Sequence, residues 1–112
     1  MSNDIFEVDV LELDPLEPGI SHLSLVEVCE RCAISVETVI ALVDHGVVEP
    51  QIEVSFSHWQ FSLPTYLRLR RALRLKRDLE INDPGVALVL ELMDEMEQLR
   101  AELNQLRKNY FP

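Results

Sequence analysis

The residues best suited to chemistry in this chain are two cysteines, three histidines and a run of arginines. Cys29-Glu-Arg-Cys32 sets two thiols three positions apart. That spacing serves zinc or thiol redox chemistry. A structural zinc site needs four ligands, however, and no second cysteine pair exists; His22 is the nearest histidine in sequence and does not complete a set. The two thiols therefore read as small packing residues inside a helix. His22, His45 and His58 fall in three separate segments, none beside a serine or cysteine in a nucleophile–base arrangement. Glycines occur only at 19, 46 and 85, too far apart to cradle a phosphate. No catalytic residue, metal or cofactor is assigned, and the chain reads as a non-enzyme.

Charge is more informative. The 112 residues carry 20 acidic and 10 basic side chains, a formal charge of -10, with 47% hydrophobic and 27% charged residues. That mix suits one small folded domain with an appended helix. Arg31 is the single basic residue before position 60, whereas Arg68, Arg70, Arg71, Arg74, Lys76 and Arg77 crowd one short stretch with no acid among them. Acidic residues dominate again from Asp78 onward. An acidic protein repels nucleic acid phosphates and attracts basic partners. Arg70, Arg71, Arg74 and Arg77 follow helical spacing between two acidic segments. Pairing within or between subunits thus takes precedence over DNA. No apolar run approaches the ~20 residues of a membrane helix. The Met-Ser-Asn-Asp start lacks a signal-peptide pattern, so a cytoplasmic protein is expected.

These side chains must be positioned by helices. Residues 1–20 form an acidic arm in which Phe6, Val8 and Val10 alternate with acids, a strand or loose tail ahead of Pro15, Pro18 and Gly19. Ser24 and Glu27 have capping-box spacing and open a helix over about 25–32. Ser35 opens a second, from Val36 to about His45, stopped by Gly46. Joined by Ala33-Ile34-Ser35, the two make a helix-turn-helix. Ile52, Val54 and Phe56, then Trp59 and Phe61, alternate on either side of Ser57-His58, which predicts a hairpin wing. Trp59 is expected to fill core between the wing and the basic helix. Ser62 and Pro64 start the basic helix. Asn82-Asp83-Pro84-Gly85 is a turn with Asp83 as the expected cap of the last helix. There Val89, Leu92, Met96, Leu99, Leu103, Leu106 and Tyr110 step alternately by three and four, a heptad seam. The seam outruns the domain before it, so its expected partner is a second copy of the chain.

The order of elements, and the stretch Ile34-Ser-Val-Glu-Thr-Val-Ile-Ala-Leu-Val-Asp-His-Gly-Val-Val-Glu-Pro50 in particular, resembles the MerR family of transcription regulators over about residues 22–108. The expected fold is mainly α with a small β-hairpin: a MerR-like winged helix-turn-helix followed by a long dimerisation helix. It divides as arm (1–20), winged domain with basic helix (21–81) and dimerisation helix (82–112). DNA-binding members carry Arg and Tyr on the second helix and Arg in the wing. This chain has Glu37, Thr38, Ala41 and Asp44 on that helix, and only Glu49 and Glu53 as charges in its wing. Gly46-Val-Val-Glu-Pro50, Trp59-Gln-Phe61, Arg71-Ala-Leu-Arg-Leu75, Pro84-Gly-Val-Ala and Leu90-Glu-Leu-Met-Asp94 together resemble a narrower family, the CbpM-type chaperone modulators. That resemblance implies a homodimer that binds the J domain of a CbpA-type co-chaperone and blocks its access to the DnaK chaperone.

J domains carry a basic second helix, so the binding surface should be acidic and flanked by apolar anchors. Two segments qualify. One is the arm, with Glu7, Asp9, Glu12 and Asp14. The other is the start of the last helix, with Asp83, Glu91, Asp94, Glu95 and Glu97 beside Leu88 and Leu92. The stiff helix loses less entropy on binding than a mobile arm, and its five acids are the expected partner-binding residues.

Overall fold

A computed structural model describes residues 19–51, 55 and 58–110. The strand or tail expected around Phe6, Val8 and Val10 lies outside the described residues, as do Ile52, Val54 and Phe56 of the wing. The elements run β1 (His22–Ser24), α1 (Leu25–Cys32), α2 (Val36–Asp44), β2 (Gln60–Ser62), α3 (Leu63–Leu79) and α4 (Asp83–Tyr110). The mainly helical, MerR-like architecture read from the sequence is the one observed.

Local chemistry sets most boundaries. The Ser24 hydroxyl accepts from the Glu27 N–H at 3.1 Å, and the Glu27 carboxylate accepts from the Ser24 N–H at 2.8 Å, a complete capping box. Those bonds hold the Glu27 carboxyl below its ordinary value of 4.5. Its share of stability is in place above that value and is lost as pH falls through the lowered one. Ser35 and Ser62 cap α2 and α3 with the hydroxyl alone, accepting from the Thr38 and Thr65 N–H groups, and Pro64 occupies the first turn of α3. Gly46 (φ 75°) ends α2 in the left-handed region. The Val47 N–H reaches the Leu42 carbonyl at 2.9 Å and the Gly46 N–H the Val43 carbonyl at 3.0 Å, the paired bonds of a Schellman motif.

Three details differ from the sequence expectation. The second arm of the wing, Gln60–Ser62, pairs antiparallel with β1, in register Leu23↔Phe61, while Gln51↔Gln60 bridges the wing at its base. Asp83 does not cap α4: the Asn82 Oδ1 accepts from the Gly85 N–H at 2.8 Å, and Asp83 is the first helical residue. Leu42 is fully buried beside Val39, although it stands outside the apolar stripe Val36, Val39, Ile40 and Val43 that helical spacing predicts for α2.

One core joins every element. Leu23, Leu25, Val28, Val39, Leu42, Val47, Val48, Phe61, Tyr66 and Leu69 are buried together, and Ala72 and Leu75 extend the α3 face. Val86 and Leu90 of α4 belong to the same core, with Val89 and Met93 packed at its edge. Trp59 is half-buried against this core and meets Phe61 edge-on, ring centroids 6.3 Å apart. Because Ser24 both closes β1 and caps α1, Ser24→Ala is expected to cost about 1 kcal/mol. A urea midpoint shift with unchanged slope checks this, and an unshifted midpoint contradicts it.

Candidate partner-binding surface

Helix α4 spans 28 residues, about 42 Å at 1.5 Å per residue. Beyond Met93 every residue to Tyr110 is exposed. At about 100° per residue its surface falls into three sectors. Val86, Leu90 and Met93 face the core. About 120° round in one direction runs the heptad seam: Leu92, Met96, Leu99, Leu103, Leu106 and Tyr110 are all exposed. Val89 sits between these two sectors. Round the other way lie Glu91, Asp94 and Glu95, with Leu88, 56% exposed, between Glu95 and the seam.

The five acids are thus not one cluster. Glu91, Asp94 and Glu95 share a face. Glu97 projects a turn further out, past the end of the core. Asp83 turns inward: its carboxylate lies 2.6 Å from the Lys76 ammonium and 3.8 Å from the His45 Nδ1. It ties the end of α2 and the last turns of α3 to the start of α4. Asp94 is also engaged. The Arg68 Nη1 donates to both Asp94 oxygens, at 2.9 and 3.2 Å, and the Arg68 Nε donates to the Val47 carbonyl at 2.8 Å. One side chain 26 positions upstream thereby fixes the helix-turn-helix exit, α3 and α4 together; no local spacing signals it. Glu91 lines a hollow of about 380 Å³ with Arg68, Thr65 and the 46–49 loop. Glu91 and Glu95, four apart and exposed, are left presenting carboxylates beside Leu88.

The basic helix is largely committed within the chain, as its spacing suggested. Arg68 and Lys76 serve Asp94 and Asp83. Arg74 and Arg77 both pair with Asp78, at 3.6 and 2.9 Å. Arg70 donates to the Tyr66 hydroxyl at 3.2 Å. The counterpart of a DNA-reading helix, α2, exposes Glu37 and Asp44. Cys29 and Cys32 are free thiols packed at the core edge. Burial pushes both thiols above their ordinary value, which favours the inert protonated form. Among the described residues no three His, Cys, Asp or Glu side chains gather into a metal-binding group, and no helix is long and apolar enough to cross a membrane.

Comparison with known proteins matches residues 23–108 to the family described as MerR HTH family regulatory protein. A chaperone modulatory protein CbpM from Pseudomonas putida is 38% identical over 89 residues, covering 80% of this chain and 87% of that one. A CbpM from Pseudomonas entomophila is 37% identical over the same shares. A CbpM from Coxiella burnetii is 34% identical over 88 residues, 79% of this chain and 82% of its own.

Proposed function

This chain belongs to the CbpM-type chaperone modulators of the MerR HTH family, and from that premise we propose a cytoplasmic, non-catalytic regulator that binds a J domain. As a homodimer joined through α4, it engages the J domain of a CbpA-type co-chaperone and inhibits its stimulation of DnaK. The division of labour follows the chain: the 21–81 domain supplies a rigid base, 82–112 supplies the dimer seam and acidic face, and 1–20 is an acidic arm. The observation that carries this reading is the pairing of Glu91 and Glu95 with exposed Leu88 on a stiff helix, on a scaffold whose second helix presents Glu37 and Asp44. A basic helix laid on that face would meet counter-charges and an apolar contact together. Titration of the purified chain against an isolated J domain tests it directly. Saturable binding that suppresses co-chaperone stimulation of DnaK ATPase is expected, and no heat at high concentration overturns it.

A second reading, a MerR-type DNA-binding regulator, is favoured by the basic helix and opposed by the acids on α2. Since Arg68 and Lys76 are already paired within the fold, duplex binding is expected to be undetectable at physiological salt up to tens of micromolar. Ordinary nonspecific binders reach dissociation constants of ~10⁻⁴–10⁻⁶ M. A salt-dependent mobility shift at low micromolar, lost in Arg70→Ala/Arg74→Ala, would establish the DNA reading instead.

A further inference from the structure

On α3, Arg70, Arg74 and Arg77 fall within about 60° of one another, on the side of the helix opposite Arg68. Together with Arg31 at the end of α1 they line a cleft of about 340 Å³. Ile34 and Leu73 form an apolar floor, both packed against the core. The guanidinium groups are held in place: Arg70 by the buried Tyr66, whose ring it overlies at 5.9 Å, and Arg74 and Arg77 by the Asp78 carboxylate they share. Arginine forks fixed in this way bind carboxylates with little loss of side-chain entropy. The cleft plays no part in the acidic face on α4.

A ligand for it should carry several carboxylates interleaved with apolar side chains. The chain itself contains such a segment. Asp4, Glu7, Asp9, Glu12, Asp14 and Glu17 alternate with Ile5, Phe6, Val8, Val10, Leu11, Leu13 and Leu16, with no Lys or Arg among them. Its point of attachment is close. Ile20 packs on the core, and the Ser21 carbonyl accepts from the Leu63 N–H at 3.1 Å, so the segment joins the fold beside the first turn of α3. From there to Arg70 and Arg77 is about 10 and 21 Å along the helix. At ~3.3 Å per extended residue, fewer than ten residues bridge that distance. A tether this short gives an effective concentration of order millimolar, enough to fill even a weak site.

We propose that the cleft between the 33–35 turn and α3 is a docking site for the chain's own acidic segment, residues 4–17, held by carboxylate–guanidinium pairs over an apolar floor. The segment therefore shields the arginines from other anions, and does so less as salt rises.

The test uses the full chain. In a variant with Asp4, Asp9 and Asp14 changed to Asn and Glu7, Glu12 and Glu17 changed to Gln, the methyl NMR signals of Ile34 and Leu73 should move. The wild-type signals should move to the same positions in high salt. A synthetic peptide of residues 2–18 should return the variant's signals to wild-type positions. It should bind the variant at least tenfold more tightly than it binds the wild type, whose own segment competes. Arg31→Glu/Arg74→Glu should abolish that binding. Identical Ile34 and Leu73 signals in wild type and variant would overturn the proposal. So would restoration of the variant by inorganic phosphate but not by the peptide, which would make the cleft a small-anion site.

Discussion

The double variant Leu99→Asp/Leu103→Asp is expected to sediment as a monomer while its helix-turn-helix core stays folded. In one chain Leu99 is 64% and Leu103 47% exposed, and every residue from 94 to 110 is exposed. Helices in proteins draw most of their stability from packing an apolar face, and within one chain the seam of α4 has nothing packed on it among the described residues. In the proposed homodimer a second α4, antiparallel as the MerR resemblance implies, would supply that packing. Two aspartates per chain would place four carboxylates in that seam, at several kcal/mol unless they ionise toward solvent and part the helices. The core ends at Leu90 with Met93 at its edge. Core methyl signals should therefore survive, while far-UV helix signal falls as the outer half of α4 frays. A variant that still sediments as a dimer would remove the seam as the interface.

What the sequence made legible were features written locally. Ser24 with Glu27, Ser35, Ser62 and Gly46 each carry their own terminus, because a cap or a left-handed stop is decided by neighbours within four residues. β1 was not legible. Three residues cannot show a two-residue period, and their partner strand lies nearly 40 positions away. The end of α1 was legible at Cys32 from the turn after it, although Ala33 takes positive φ without a glycine; the end of α3, where Glu80 does the same, was not. The Asp83 cap failed for a tertiary reason. Asn and Asp are equally good caps by residue type, so local chemistry does not separate Asn82 from Asp83. Lys76 and His45 claim the Asp83 carboxylate instead, and the Asn82 amide oxygen takes the Gly85 N–H. The candidate site divides along the same line. That Glu91, Asp94 and Glu95 share a face follows from their spacing. That Arg68 holds Asp94 depends on a contact between α3 and α4.

That contact decides which acids to test on the partner surface. Reversing Asp94 would set a lysine against Arg68 and loosen the joint between α3 and α4, so lost binding could not be separated from a disturbed fold. Glu91→Lys/Glu95→Lys avoids this. Both side chains are exposed and four apart, and neither takes part in the Asp94–Arg68 or Asp83–Lys76 pairs. If a basic J-domain surface lies on this face, two reversals replace two attractions with two repulsions. Affinity should fall at least tenfold, ~1.4 kcal/mol or more. Inhibition of the co-chaperone should fall with it, and Glu91→Gln/Glu95→Gln should lose less. The loss should shrink as salt screens the rim charges. Sedimentation and far-UV ellipticity should match the wild type, because the seam lies on a different sector of α4 and the core ends before Glu95. Calorimetric titration against the isolated J domain reads the result. Unchanged affinity in this variant, together with abolished binding on deletion of residues 1–20, would move the site from α4 to the acidic arm.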